Sequence, residues 1–109
     1  MLHRTRFCAL AIAALLLATA ARADDTQAGR AKAQLCTMCH GPTGISVTPD
    51  APNLAGQPLI YLVAQLRAYR SGARKHEVMA VIAKTLTDDD ISSISAWFSS
   101  IRVEATAPL

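Results

Sequence analysis

The feature that most restricts the fold of this 109-residue chain is the segment Cys36-Thr37-Met38-Cys39-His40. Its two cysteines and its histidine stand at i, i+3 and i+4, so a single helical turn would place all three side chains on one face. Thiol and imidazole groups gathered in this way indicate a shared ligand or a covalent link. The rest of the chain must therefore form a fold in which these three side chains share a ligand or a covalent link.

The first 23 residues have the pattern of a secretory signal peptide. Arg4 and Arg6 precede an apolar run over residues 9–21, and Ala21-Arg22-Ala23 is a small-residue cleavage site. At the rise of an α-helix this run spans about 20 Å, which is short of the roughly 30 Å hydrocarbon core of a bilayer. We therefore expect a signal peptide at 1–23, one mature domain at 24–109 and no permanent membrane span after cleavage.

Removal of the signal peptide changes the charge of the chain. The full sequence has 11 Lys and Arg against 8 Asp and Glu, but three of the arginines lie within residues 1–23, so the mature domain is neutral. Nucleic-acid binding would require a strongly basic domain and is not expected. Export also places Cys36 and Cys39 in an oxidising compartment.

Hydrophobic periodicity predicts four helices and no strand, and hence an all-α fold. The predicted helices run from Thr26 to Cys39, from Pro58 to about Gly72, through a short segment around Met79, and from Thr87 onward. Their expected buried residues are Leu59, Leu62, Val63 and Leu66 in the second, Met79, Ile82, Ala83 and Leu86 in the third, and Ile91, Ile94, Trp97 or Phe98, and Ile101 in the last. Residues 41–56 are rich in Gly and Pro and are predicted to form a loop beside the cysteine turn.

The C-x-x-C-H spacing is compatible with three kinds of site. Two thiols can add to two porphyrin vinyl groups while the imidazole binds iron, and this spacing is the attachment signature of c-type haem. Zinc would need four ligands, for which only Cys36, Cys39, His40 and His76 are available, with adjacent Cys39 and His40 in one tetrahedron. A thioredoxin-like disulfide would be expected near a βαβ pattern. Haem is favoured, and zinc and a disulfide remain alternatives.

A haem bound by His40 has a second axial position on its iron. Met38 lies between the cysteines and cannot reach the opposite face, so the available side chains are Met79 and His76. Met79 would otherwise be an ordinary core methionine, and His76 an exposed histidine in a polar turn. We expect His40 and Met79 to be the metal ligands.

Four ordered motifs resemble those of the class I c-type cytochromes, in particular the periplasmic bacterial monohaem subgroup. They are C-x-x-C-H-G at 36–41, P-x-L-A-G-Q at 52–57, Y-x-x-x-Q-L-x-x-Y-x-x-G-x-R at 61–74, and Met79 before the last helix. The resemblance covers nearly all of the mature chain. It implies a small class I cytochrome c fold, with about four helices wrapped around one haem c that is covalently bound through Cys36 and Cys39.

The resemblance also implies roles for single residues. The backbone carbonyl of Pro52 should accept the second imidazole N–H of His40. Gly29 should allow the last helix to cross the first closely, Trp97 should fill a position that is aromatic in the family, and Arg74 should lie near the haem edge.

The expected function is that of a periplasmic one-electron carrier that exchanges electrons with protein redox partners and is not itself an enzyme. One alternative is a haem-bearing subunit of a periplasmic dehydrogenase, and another is a haem-based sensor or peroxidase-like enzyme with an open sixth position. Arg67, Arg70 and Arg74 fall on one side of the second predicted helix. A solvated helix face is preferred to a basic docking stripe as the explanation of this pattern.

Overall fold

The computed structural model describes residues 26–108, and over this range the chain is helical and contains no strand. The all-α prediction is therefore confirmed. The predicted signal peptide at 1–23 lies outside the described residues. The elements in chain order are helix α1 (26–32), a 3₁₀ turn (Ala33–Cys36), α2 (Thr37–His40), α3 (Leu59–Ser71), α4 (Glu77–Lys84) and α5 (Asp88–Ser100).

The first helical segment differs from the single helix predicted over Thr26 to Cys39. Thr26 is helical, and the 3₁₀ turn separates α1 from α2. In this tighter turn the Thr37 hydroxyl donates to the Gln34 carbonyl at 2.9 Å. A 3₁₀ turn changes the rotation per residue, so α2 presents its side chains in a direction that a continuous α-helix would not give.

Helix α3 begins one residue later than predicted. Pro58 has φ −57° and ψ 135° and is the N-cap, and its carbonyl accepts the Leu62 amide at 3.1 Å. Leu62 is buried, whereas Leu59 is 44% exposed, so the prediction that Leu59 is buried was wrong. The last helical residue is Ser71 and Gly72 is the left-handed C-cap, in agreement with the predicted end at about Gly72.

Helix α5 starts with a capping box. The Thr87 hydroxyl accepts from the Asp90 amide at 3.1 Å, and the Asp90 carboxylate accepts from the Thr87 amide at 2.9 Å. These bonds satisfy two of the amides that a helix start leaves unpaired. Further along, Phe98 is 1% exposed and Trp97 only half-buried, so Phe98 is the core aromatic of the pair.

The core lies where α3, α5 and the 3₁₀ turn meet. Its buried members are Ala33, Leu62, Ile94 and Phe98, and partly buried side chains around them include Cys36 and Leu66. Helix α4 packs against α3, which also packs against α5. Because Cys36 touches this core, the cysteine turn is anchored to the body of the fold. Within residues 26–108 no helix has the length and hydropathy needed to cross a membrane.

Candidate haem site

His40 is the last residue of α2 and is 7% exposed. Its Nδ1 lies 2.8 Å from the carbonyl oxygen of Pro52. A carbonyl only accepts hydrogen bonds, so Nδ1 carries the proton and donates it, and the lone pair of a neutral ring is left on Nε2. The hydrogen bond at Nδ1 thus fixes the orientation of the imidazole ring, and Nε2 is the atom that can bind a metal.

The loop after α2 is held to the end of that helix. The Cys39 carbonyl oxygen accepts from the Ser46 hydroxyl at 3.2 Å, the Val47 amide at 3.3 Å and the Thr48 hydroxyl at 3.3 Å. Gly41 makes the turn with φ +79°, and a Cβ at this position would lie 1.8 Å from the Ile45 carbonyl oxygen. Only glycine fits such a close, left-handed turn.

The second half of the loop is held by hydrogen bonds to its own first half and by one hydrogen bond to α5. The Gly44 carbonyl accepts the amides of Leu54 at 2.7 Å and Ala55 at 3.1 Å, and the Gly56 amide donates to the Phe98 carbonyl of α5 at 2.9 Å. The Asn53 side chain accepts from the Ser46 amide at 2.7 Å. These bonds enclose Pro52, so its carbonyl is held in place toward His40.

Cys36, the last residue of the 3₁₀ turn, is partly buried, and Cys39, in α2, is exposed. Burial raises the pKa of the Cys36 thiol to about 11. Thiol–disulfide exchange proceeds through the thiolate, so burial makes Cys36 a poor attacking group for such exchange. Among residues 26–108 no three His, Cys, Asp or Glu side chains are grouped to hold a metal ion.

Met79 and His76 both belong to the start of α4. Met79 is half-buried in the first turn, while His76 is exposed and caps the helix by accepting the Met79 amide on Nδ1 at 3.3 Å. A neutral imidazole that accepts on Nδ1 has its proton on Nε2. In this arrangement the Nδ1 lone pair of His76 is used by the helix cap.

The three arginines of α3 and the following turn are bound within the chain. Arg70 donates to the Leu86 carbonyl at 3.1 Å and to the Asp88 carboxylate at 2.5 Å, and Arg67 approaches the same carboxylate at 3.9 Å. Arg74 donates to the Gln65 side chain at 2.7 Å and covers the Tyr69 ring. The role of Arg67 and Arg70 in joining α3 to Asp88 of α5 was missed by sequence reasoning, since Asp88 is 18 residues from Arg70.

A groove of about 760 Å³ lies between α1, α3 and α5, and Ala28, Leu59, Val63 and Ser93 are among the residues that line it. The cysteine turn, His40 and Met79 do not line this groove. The groove is therefore separate from the candidate haem site.

The donor set fits haem c. Two thiols and one oriented, buried imidazole lie on adjoining turns of a helical domain, beside a core that Cys36 already contacts. This combination defines a class of protein: a small all-α chain that attaches its haem covalently through a C-x-x-C-H turn.

Comparison with known proteins gives the family. The family model described as Cytochrome c matches residues 26–102. Cytochrome c-554(548) of Halomonas halodenitrificans is 42% identical over 81 residues, which cover 72% of this chain and 98% of that protein. The thiosulfate dehydrogenase electron acceptor of Stutzerimonas stutzeri is 39% identical over 74 residues, which cover 65% of this chain and 34% of that protein.

A solved structure shows the same relationship. The thiosulfate dehydrogenase TsdBA of Marichromatium purpuratum matches with a TM-score of 0.68 and 34% identity, covering 77% of this chain and 21% of that one. The chain thus spans one relative almost completely and about a third or less of the other two.

The chain belongs to the cytochrome c family, and it is a class I c-type cytochrome. Its cofactor is a haem c attached through Cys36 and Cys39, and it is a haem electron carrier.

Proposed function

We propose that the chain is an exported one-electron carrier in which His40 and Met79 are the two axial ligands of a single haem c. The observation that carries this proposal is the 2.8 Å contact between His40 Nδ1 and the Pro52 carbonyl. It leaves Nε2 as the only ring nitrogen with a lone pair, on a buried imidazole next to both cysteines.

The residues of the chain support electron transfer without catalysis. The cofactor supplies a one-electron couple, and His/Met ligation and burial place its potential higher than stronger donors would. The Pro52 carbonyl fixes the imidazole plane and makes Nε2 more basic. With a thioether at the second axial position no site is left for a substrate, so we infer a carrier that is not itself an enzyme and that exchanges electrons with protein partners.

The proposal includes export. Residues 1–23 are a signal peptide, residues 24–109 are the mature cytochrome domain, and the domain works in the periplasm. Its support is the sequence pattern of residues 1–23. The neutral charge of residues 24–109 argues against a nucleic-acid partner. Amino-terminal sequencing of the exported protein should begin at Asp24. A protein that retains residues 1–23 would contradict this part.

The test of the ligand pair is optical spectroscopy of the exported protein and of Met79→Ala. We expect a sharp low-spin c-type spectrum on reduction and a weak long-wavelength sulfur-to-iron band in the oxidised form. Met79→Ala should lose that band, lower the reduction potential and admit small ligands. An unchanged band in the variant would exclude Met79, and a colourless wild-type protein from a host able to attach haem would exclude the cofactor.

A second candidate is the haem-bearing subunit of a periplasmic dehydrogenase. It is favoured by the relatives named as a thiosulfate dehydrogenase electron acceptor and as TsdBA, which are longer than this chain. Sedimentation of the protein purified from its native host distinguishes the two, because a free carrier has the mass of the mature chain alone whereas a subunit sediments with a catalytic partner. Rapid binding of cyanide to the wild-type iron would favour the sensor or peroxidase-like alternative.

A further inference from the structure

Three side chains, one at the end of α3 and two in the turn before α4, form a stack that the carrier function does not explain. The Arg74 guanidinium carbon lies 4.7 Å from the centre of the Tyr69 ring. The Tyr69 and His76 rings are 6.3 Å apart at 78°, an edge-to-face arrangement. Such cation–π and aromatic pairs are favourable beyond the area that they bury. We call Tyr69, Arg74 and His76 the turn stack.

The turn stack is connected to both helices. On the α3 side, the Arg74 amide donates to the Ala68 carbonyl at 3.0 Å, and its guanidinium donates to the Gln65 side chain at 2.7 Å. On the α4 side, His76 is the N-cap and accepts the Met79 amide at 3.3 Å. The sequence of contacts therefore runs from the middle of α3 to the backbone of Met79.

Helix α4 needs such support because it has only eight residues. Helices this short are not stable in water on their own, so the first turn depends on its cap and on packing. The usual side chains at an N-cap are Ser, Thr, Asp and Asn. A histidine does the same with Nδ1, and its ring also offers a face and an edge for Tyr69 to contact.

We infer that the turn stack is a positioning device for Met79: His76, held by Tyr69 and Arg74, fixes the first turn of α4 and so keeps the thioether at the iron. The inference rests on the proposed ligand role of Met79. His76 acts here through the backbone of the ligand and does not bind the metal itself.

The test compares His76→Ala with His76→Asn in the haem-loaded protein, using imidazole as the competing ligand. Loss of a cap corresponds to about a fivefold change in an equilibrium constant. His76→Ala should therefore bind imidazole about fivefold more tightly than wild type and weaken the sulfur-to-iron band. Asparagine can accept the same amide, so His76→Asn should return the affinity to within about twofold of wild type.

The matched control is Thr87→Ala, which removes the N-cap of α5, a helix without an iron ligand. Both alanine variants should lower the melting temperature, but only His76→Ala should change the band and the imidazole affinity. Tyr69→Leu provides a second variant that leaves the cap atom in place and removes the ring. It should shift the imidazole affinity in the same direction as His76→Ala.

The outcomes separate this inference from the proposed function. If Met79→Ala leaves the band and imidazole binding unchanged, the ligand assignment fails and the inference falls with it. If Met79→Ala changes them while His76→Ala and Tyr69→Leu behave like Thr87→Ala, only the positioning role is overturned. If His76→Ala does not yield folded protein, the Tyr69→Leu result decides in the same way.

Discussion

Gly29 lies directly against the backbone of Ser93, where α1 crosses α5. A Cβ on Gly29 would be 1.9 Å from the Ser93 carbonyl oxygen and 3.1 Å from Cβ of Trp97. The two helices can approach this closely only because Gly29 has no side chain. The crossing also brings Lys32 of α1 into an ion pair with Asp90 of α5. Gly29 is therefore required for the close approach of α1 to α5.

Gly29→Ala should destabilise the protein through this contact. Backbone atoms cannot move aside as a flexible side chain can, so the helices must separate, and overpacking of this kind costs about 1–3 kcal/mol in the free energy of unfolding. Guanidinium denaturation of the haem-loaded protein measures the change. Ala31→Ser, on the exposed part of α1, is the matched control and should stay within about 0.5 kcal/mol of wild type. Equal stability of Gly29→Ala and wild type would show that the helices do not cross in this way.

Thr87→Ala should weaken the start of α5. The hydroxyl that accepts the Asp90 amide is lost, and replacement of a threonine N-cap by alanine costs typically about 1 kcal/mol. Thr87→Ser keeps the oxygen and should recover most of that loss. Chemical denaturation of the two variants and wild type tests this, and the prediction fails if serine is as unstable as alanine.

Arg70 controls the ionisation of Asp88. Its hydrogen bond to the carboxylate and then its positive charge hold the pKa of Asp88 below the ordinary value, and the charge of Arg67 adds a smaller contribution. Arg70→Gln should therefore raise the pKa of Asp88 toward its ordinary value. Arg67→Gln, whose guanidinium is 3.9 Å away, is the control and should have the smaller effect. A carboxyl-carbon NMR titration of Asp88 measures both, and equal shifts in the two variants would contradict the assignment.

Asp90 should make the protein sensitive to acid. Hydrogen bonds from Lys32 and then from the backbone and hydroxyl of Thr87 lower the pKa of Asp90 from 3.8 to about 2. A carboxyl whose pKa is lower in the folded state than in the unfolded state stabilises the folded state at any pH above the unfolded-state pKa. For Asp90 this stabilisation is lost as the pH falls from about 4 to 2.

The measurement is the free energy of unfolding of wild type and Asp90→Asn across that range. The variant should be less stable near neutral pH and show a shallower loss of stability on acidification. Asp89→Asn is the control, because Asp89 shares the first turn of α5 but is not the partner of Lys32 or of the capping box. An acid slope in Asp90→Asn identical to that of wild type would show that Asp90 does not contribute.

Much of the candidate site was readable from the sequence because its elements are local. Cys36, Cys39 and His40 are within five residues, and one helical turn is enough to gather them. The N-cap of α5 is equally local, because its hydrogen bonds join Thr87 to Asp90, three residues later. The C-cap of α3 is local as well, because the Gly72 amide donates to the Tyr69 carbonyl. The pairing of His40 with Pro52 was expected only from the resemblance, and the structure has that contact.

The sequence by itself determined the helical class, the cysteine turn and the order of the elements, whereas the glycine at the helix crossing was expected from the resemblance. Only the tertiary structure decided which neighbouring side chain is used: Phe98 in place of Trp97 in the core, Leu59 exposed, and the first helix divided by a 3₁₀ turn. It also decided that Arg74 binds Gln65 and Tyr69, and that His76 caps the helix of Met79. Periodicity defines a helix face only to within a residue, whereas the angle at which two helices meet selects one side chain from that face.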